Sequence, residues 1–167
     1  MDFALKKLSR GGVSAALKKA ERYRLLNEAW EAESICLDIL EIEPENQEAL
    51  VMLLLARTDQ LGSEQGASIA DAQEVVARLH GEYERAYYSG IICERRAAAF
   101  LARDRSGAGK VAYQWFRRAM EWYEKAETSR SAGNDDALLR WNTCARAIMR
   151  HPNVKPDERE EAPQLLE

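Results

Sequence analysis

A chain of 167 residues with a formal charge of −4 and an isoelectric point near 5.4 is long enough to bury its own core and lacks the basic balance of a general nucleic-acid binder. Its three cysteines, Cys36, Cys93 and Cys144, are odd in number and far apart, which reads as reduced thiols and a cytoplasmic setting. No secretory signal pattern opens the chain, and the longest apolar run, Ala49–Ala56, is far too short to cross a bilayer, so no membrane association is expected. The charge is uneven: Lys6, Lys7, Arg10, Lys18, Lys19, Arg22 and Arg24 crowd the start, while Asp157, Glu158, Glu160, Glu161 and Glu167 make the end acidic.

Taken in order, residues 1–12 predict a short helix or arm, with Phe3, Leu5 and Leu8 its apolar positions and Gly11–Gly12 its stop. A first helix is expected over Val13–Leu26 and a second over Glu28–Ile42, separated by a tight turn at Asn27. In the second, Ala29, Ala32, Cys36, Ile39 and Leu40 recur at three- and four-residue spacing and so share one face. Glu28, Glu31, Glu33, Asp38, Glu41 and Glu43 are assigned to the solvent side. Pro44 fixes its own φ and disfavours helix at Glu43, and Asn46 can cap the helix that follows.

That third helix, Gln47–Leu61, contains ALVMLLLA and is apolar nearly all round, so both of its sides should be covered. A glycine-bearing loop leads to a fourth helix over Ser68–His80, with Gly81 as its C-terminal cap. A fifth helix is expected over Glu82–Arg103, a sixth over Lys110–Arg130 and a seventh from the Gly133–Asp135 break to Arg150. Residues 151–167, with three of the four prolines and no periodic apolar face, predict a disordered acidic tail.

The stretch from Val13 to Asn46 resembles the tetratricopeptide (TPR) repeat, a unit of about 34 residues with a W-x2-L-G-x2-Y helix, an A-x3-F helix and a closing proline. Ala20 falls where that family prefers glycine, Tyr23 on the tyrosine, Ala32 on the small residue and Cys36 on the aromatic. ILEIEPEN is similar to the family's closing ALELDPNN. Ala16, Lys19 and Ile39 depart from the pattern, as in an atypical or terminal repeat. The spacing of Ala72, Val76 and Leu79, and of Ala112, Phe116 and Ala119, repeats the signature more loosely. The resemblance implies an all-α, TPR-like right-handed superhelix of about three helical hairpins over residues 13–150, finished by a closing helix.

It also implies a concave groove lined by the first helix of each pair. Carried onto this chain, the groove-facing positions are Leu17, Glu21 and Arg24, then Val51, Leu55 and Thr58, then Ser89, Cys93 and Arg96, with Arg146 in the closing helix. Arginine pairs with carboxylates in a bidentate fork, so an acidic peptide or helix of a partner protein is the expected ligand. The same arginines could instead pair with neighbouring glutamates. The Lys/Asn set with which some TPR co-chaperones clamp a C-terminal carboxylate is not recognisable.

Other chemistry finds little purchase. SGAGK at Ser106–Lys110 imitates a phosphate loop, but Asp104 stands where the first glycine belongs and Val111 where a Ser or Thr should hold magnesium. His80 and His151 are isolated, so no metal or cofactor site is expected. Tyr113, Trp115, Phe116, Trp122 and Tyr123 form the densest aromatic group; it either packs against the closing helix or makes an exposed anchor, through which a homodimer could form. The expectation is a non-enzymatic interaction module, an adaptor or chaperone. A self-associating scaffold is the alternative class, and an all-helical enzyme the third.

Overall fold

The computed structural model describes residues 3–63, 66–103 and 106–157, and among these it is all-helical, without a strand. After a single 3-10 turn at Arg10–Gly12 come α1 (Val13–Leu25), α2 (Ala29–Ile42), α3 (Gln47–Asp59), α4 (Ile69–Ala77), α5 (Glu82–Ala102), α6 (Ala108–Glu127) and α7 (Asp136–Arg150). The boundaries follow from local chemistry. Asn27 takes φ +63°, a left-handed turn that asparagine tolerates better than most residues. Glu43 leaves the helical region in front of Pro44, and the Asn46 side chain accepts from the Ala49 amide at 2.9 Å. Ser68 and Asp71 form a reciprocal capping box at the start of α4.

The structure refines several expectations. Of the short helix or arm expected over 1–12, residues 3–9 form no helix; with Phe3 and Leu5 both exposed, no apolar contact repays the ordering of a helix nucleus there. Gly81 does not cap α4 but precedes α5 as its N-cap, because α4 stops at Ala77. The first part of the expected irregular tail is anchored, as described below; residues 158–167 lie outside the described residues.

The chain divides into two compact units, Met1–His80 and Gly81–Glu167. In the first, α1 packs on α2, α2 on α3 and α3 on α4, and α1 also touches α3. The apolar girth of α3 is thereby covered: Ala49, Leu50, Leu53, Leu54 and Ala56 are all buried. A polar clamp runs through this unit. Glu33 is 9% exposed and accepts from Arg57 Nε at 3.0 Å and from Gln60 Nε2 at 2.6 Å, so both of its carboxylate oxygens are met, one by α3 and one by the residue that caps it. Arg57 also donates through Nη1 to the Asp71 carbonyl at 2.8 Å, reaching α4. Glu33 was expected on the solvent side of α2; it lies instead one turn from Cys36 on the buried margin, where donors from α3 replace water.

The second unit is built on the long α5–α6 hairpin, with α7 packed on α6. Tyr123 is wholly buried and its ring presses on Gly90: a Cβ at that position would stand 2.4 Å from Tyr123 Cε1. The Tyr123 hydroxyl donates to Glu94 Oε2 at 2.6 Å, and Arg140 Nη1 donates to Glu94 Oε1 at 3.0 Å. One carboxylate on α5 therefore gathers α6 and α7. Around it pack Ala97, Ala112, Phe116, Ala119, Met120 and Cys144.

Residues 151–157 close this unit. Val154 is buried in the same core, Lys110 Nζ meets Asp157 at 2.9 Å, and the backbone at Asn153 crosses α6 at Gly109, where a Cβ would lie 2.1 Å from the Asn153 carbonyl oxygen. This explains GAGK without a phosphate: Gly109 admits the crossing strand of chain and Lys110 pairs with it. Asp104 lies outside the described residues.

Gly90→Ala is expected to destabilise the fold, since helix propensity would return only about 1 kcal/mol against overpacking of about 1–3 kcal/mol around an immobile ring. Tyr123→Phe should cost about 1–3 kcal/mol by depriving a buried carboxylate of a donor. Gly109→Ala should free the crossing segment and speed tryptic cleavage after Arg150, at its root, while leaving helix content unchanged. Denaturant unfolding, circular dichroism and limited proteolysis measure the three.

Candidate functional site

The groove candidates inferred from the repeat pattern separate into distinct environments. Leu17, Thr58 and Cys93 are buried, so they pack rather than present themselves to a ligand. Thr58 donates its hydroxyl to the Leu55 carbonyl at 2.9 Å, one turn back in its own helix. Arg24 is spent internally: its Nε stands 2.8 Å from Asp59 Oδ2, joining α1 to the end of α3. Arg96 lies with its guanidinium 4.7 Å above the Phe100 ring, and its buried Nε has no hydrogen-bond partner. Ser89 is half-buried and donates to the Arg85 carbonyl at 2.7 Å.

What is left for a partner is smaller. In the first unit Glu21 is exposed, and Val51 and Leu55 are half-exposed along α3. In the second unit Arg146 is exposed and lines an open depression with Thr143, Ala147, Arg150 and His151. Leu139, Thr143, Arg146 and Arg150 recur at three- and four-residue spacing, so they form one outward stripe of α7, beside which Met149 is 75% exposed. Leu139 and Met149 give that face apolar contact area, while Arg146 and Arg150 give it positive charge. Sequence reading reached Arg146 by counting repeats but missed its neighbours. The signal was present, because Leu139 and Met149 fall off the face of α7 that carries Ala137, Trp141, Cys144 and Ile148 into the core.

The aromatic group is largely internal. Phe116 and Tyr123 belong to the core, and Trp115 and Tyr113 pack partly buried against it. Trp122 is 36% exposed, and Lys125 lies 5.0 Å over its ring. Trp141 donates its indole N–H to Glu124 at 2.9 Å, so α7 does cover this side of α6. Glu33 and Glu94 are the polar residues that periodicity overlooked. Each sits three residues before, and so one turn from, a core position, Cys36 and Ala97 respectively, which is the trace by which they could have been found.

The thiols are chemically quiet. Burial, reinforced by Glu33, pushes Cys36 up to about 12; burial pushes Cys93 up to about 11 against the pull of Arg118; burial with Glu94 pushes Cys144 up to about 12. A nucleophilic cysteine requires the opposite environment. Among the described residues, no cluster of three or more His, Cys, Asp or Glu is placed to hold a metal, and no helix is long and apolar enough to cross a membrane.

These thiols give stability a definite alkaline slope. Their folded values lie above the unfolded value of about 8.5, so the unfolded chain loses its protons first as pH rises. The contribution is whole below about pH 8.5 and is lost progressively towards about 11–12. A disulfide-exchange reagent at neutral pH should label the native chain at least about a hundredfold more slowly than the chain in denaturant; fast native labelling of Cys93 would contradict its burial. No family model matches the chain, and neither the curated proteins nor the solved structures yield a match, so the tetratricopeptide likeness rests on the residues of 13–46 and their looser echoes.

Proposed function

We propose that this chain is a non-enzymatic, TPR-like interaction module, a cytoplasmic adaptor or chaperone that takes an acidic peptide or helix of another protein. The observation that carries the reading is the outward stripe of α7, where Arg146 and Arg150 stand beside exposed Leu139 and Met149. Such a surface suits an acidic amphipathic segment: apolar contacts supply affinity and the guanidinium groups set orientation by pairing with carboxylates. Packing of sequence-adjacent helices within each unit and the Val13–Asn46 pattern support the repeat likeness. Arg24 and Arg96 drop out of the recognition set, because one is tied to Asp59 and the other is stacked on Phe100.

The test is fluorescence anisotropy against a panel of acidic amphipathic peptides and their charge-neutral counterparts. Arg146→Ala combined with Arg150→Ala should weaken the best acidic binder by about tenfold or more and flatten its salt dependence. Arg24→Ala should instead lower the unfolding midpoint and leave the affinity unchanged. Equal binding of acidic and neutral peptides would remove the basis for the proposal.

A further inference from the structure

The first unit carries two complementary surfaces that its own fold does not bring together. Residues 3–9 form an arm rooted at Leu8, which lies over the depression between α1 and α2 with Ala15, Ala16 and Ile35. Beyond that root, Phe3 is 79% and Leu5 80% exposed. Lys6 and Lys7 beside them are exposed and make no ion pair among the described residues. On α2, Trp30 and Leu37 are 67% and 47% exposed and lie seven residues apart on one stripe. Glu41 continues that stripe and Glu31 stands about 100° round the helix from it; both are exposed and likewise without an ion pair among the described residues.

Surface tryptophan without a covering neighbour is a frequent centre of binding energy. Its acidic surround selects a basic partner, and the arm supplies that chemistry with apolar side chains already attached. The dimensions agree: Phe3 to Lys7 spans about 14 Å when extended, and Trp30 to Glu41 about 16 Å along a helix. The arm does not use its own α2, because its two apolar side chains remain in solvent while Leu8 holds its root.

We propose that the arm of one copy docks on the α2 face of a second copy, with Phe3 and Leu5 against Trp30 and Leu37 and with Lys6 and Lys7 facing Glu31 and Glu41. Exchange of both arms makes a closed, two-fold dimer. This surface shares no residue with the α7 stripe, so the dimer and peptide recognition are tested by different variants.

Charge exchange between full-length chains tests it by light scattering and sedimentation. The wild-type mass should rise from monomer to dimer with concentration, and less readily in high salt. Lys6→Glu with Lys7→Glu in one chain, and Glu31→Lys with Glu41→Lys in another, should each stay monomeric where the wild type dimerises. An equimolar mixture of the two should regain the dimer. Trp30→Ala should raise the dissociation constant about 30-fold. All these positions are exposed, and unchanged helix content and melting temperature confirm that each variant folds. A wild type that stays monomeric, a dimer indifferent to both charge reversals, or a mixture that fails to associate overturns the proposal. So does a wild type that binds phosphatidylserine vesicles through Lys6 and Lys7 without dimerising.

Discussion

A glutamate taken out of water is tolerable only if both of its oxygens are met, and each unit of this protein is arranged around one such residue. In the first, Glu33 on α2 is satisfied by Arg57 near the end of α3 and by Gln60, which caps that helix. In the second, Glu94 on α5 takes its donors from two helices, Tyr123 on α6 and Arg140 on α7. Apolar contacts between helices tolerate a small slide or rotation. A buried carboxylate does not, because a lost donor leaves a desolvated charge that costs about 3–5 kcal/mol. The net stabilisation from such a group is small, and its effect is to single out one register among many nearly equal packings. Gly90 shows how far the second unit conforms to this arrangement, giving up a side chain so that the Tyr123 ring can lie flat enough on α5 to reach Glu94.

That constraint also marks what sequence could and could not foretell. Helix positions were readable where they depend on local chemistry: Asn27 at a tight turn, Pro44 behind Glu43, Asn46 at a cap. The faces of α2 and α6 were readable because Ala32, Cys36, Phe116 and Ala119 repeat with the helix, and the covering of α3 because it is apolar nearly all round. Periodicity assigns faces by polarity, so it puts every carboxylate outside. Glu33 and Glu94 escaped for that reason: the donors that make their burial possible lie 24 to 46 residues away in sequence. Gly109 escaped likewise, since its role depends on a chain crossing at Asn153 rather than on anything local.

The arginines divide along the same line. Arg24, Arg57 and Arg140 each sit beside a carboxylate of their own unit, and Arg96 is stacked on a ring. Counting repeats treats Arg24, Arg96 and Arg146 as equivalent, yet the count concerns backbone positions and says nothing of what stands opposite. Asp59 stands opposite Arg24 and Phe100 beneath Arg96. Neither guanidinium can engage a ligand without abandoning an existing contact, which would have to be repaid from the binding energy.

Charge that remains outside can be used at less cost. Arg146 and Arg150 on α7, and Lys6 and Lys7 on the arm, are exposed and lie next to apolar side chains that the fold has left in water. Singly exposed leucines are ordinary on protein surfaces. An exposed tryptophan within an acidic helical face, or a methionine beside two arginines, is a more selective arrangement, because it offers affinity and orientation from the same few residues. The buried carboxylates make this economy possible: with the register of each unit held from within, the outer faces of α2 and α7 are not needed for folding, and substitutions there should alter association before they alter stability.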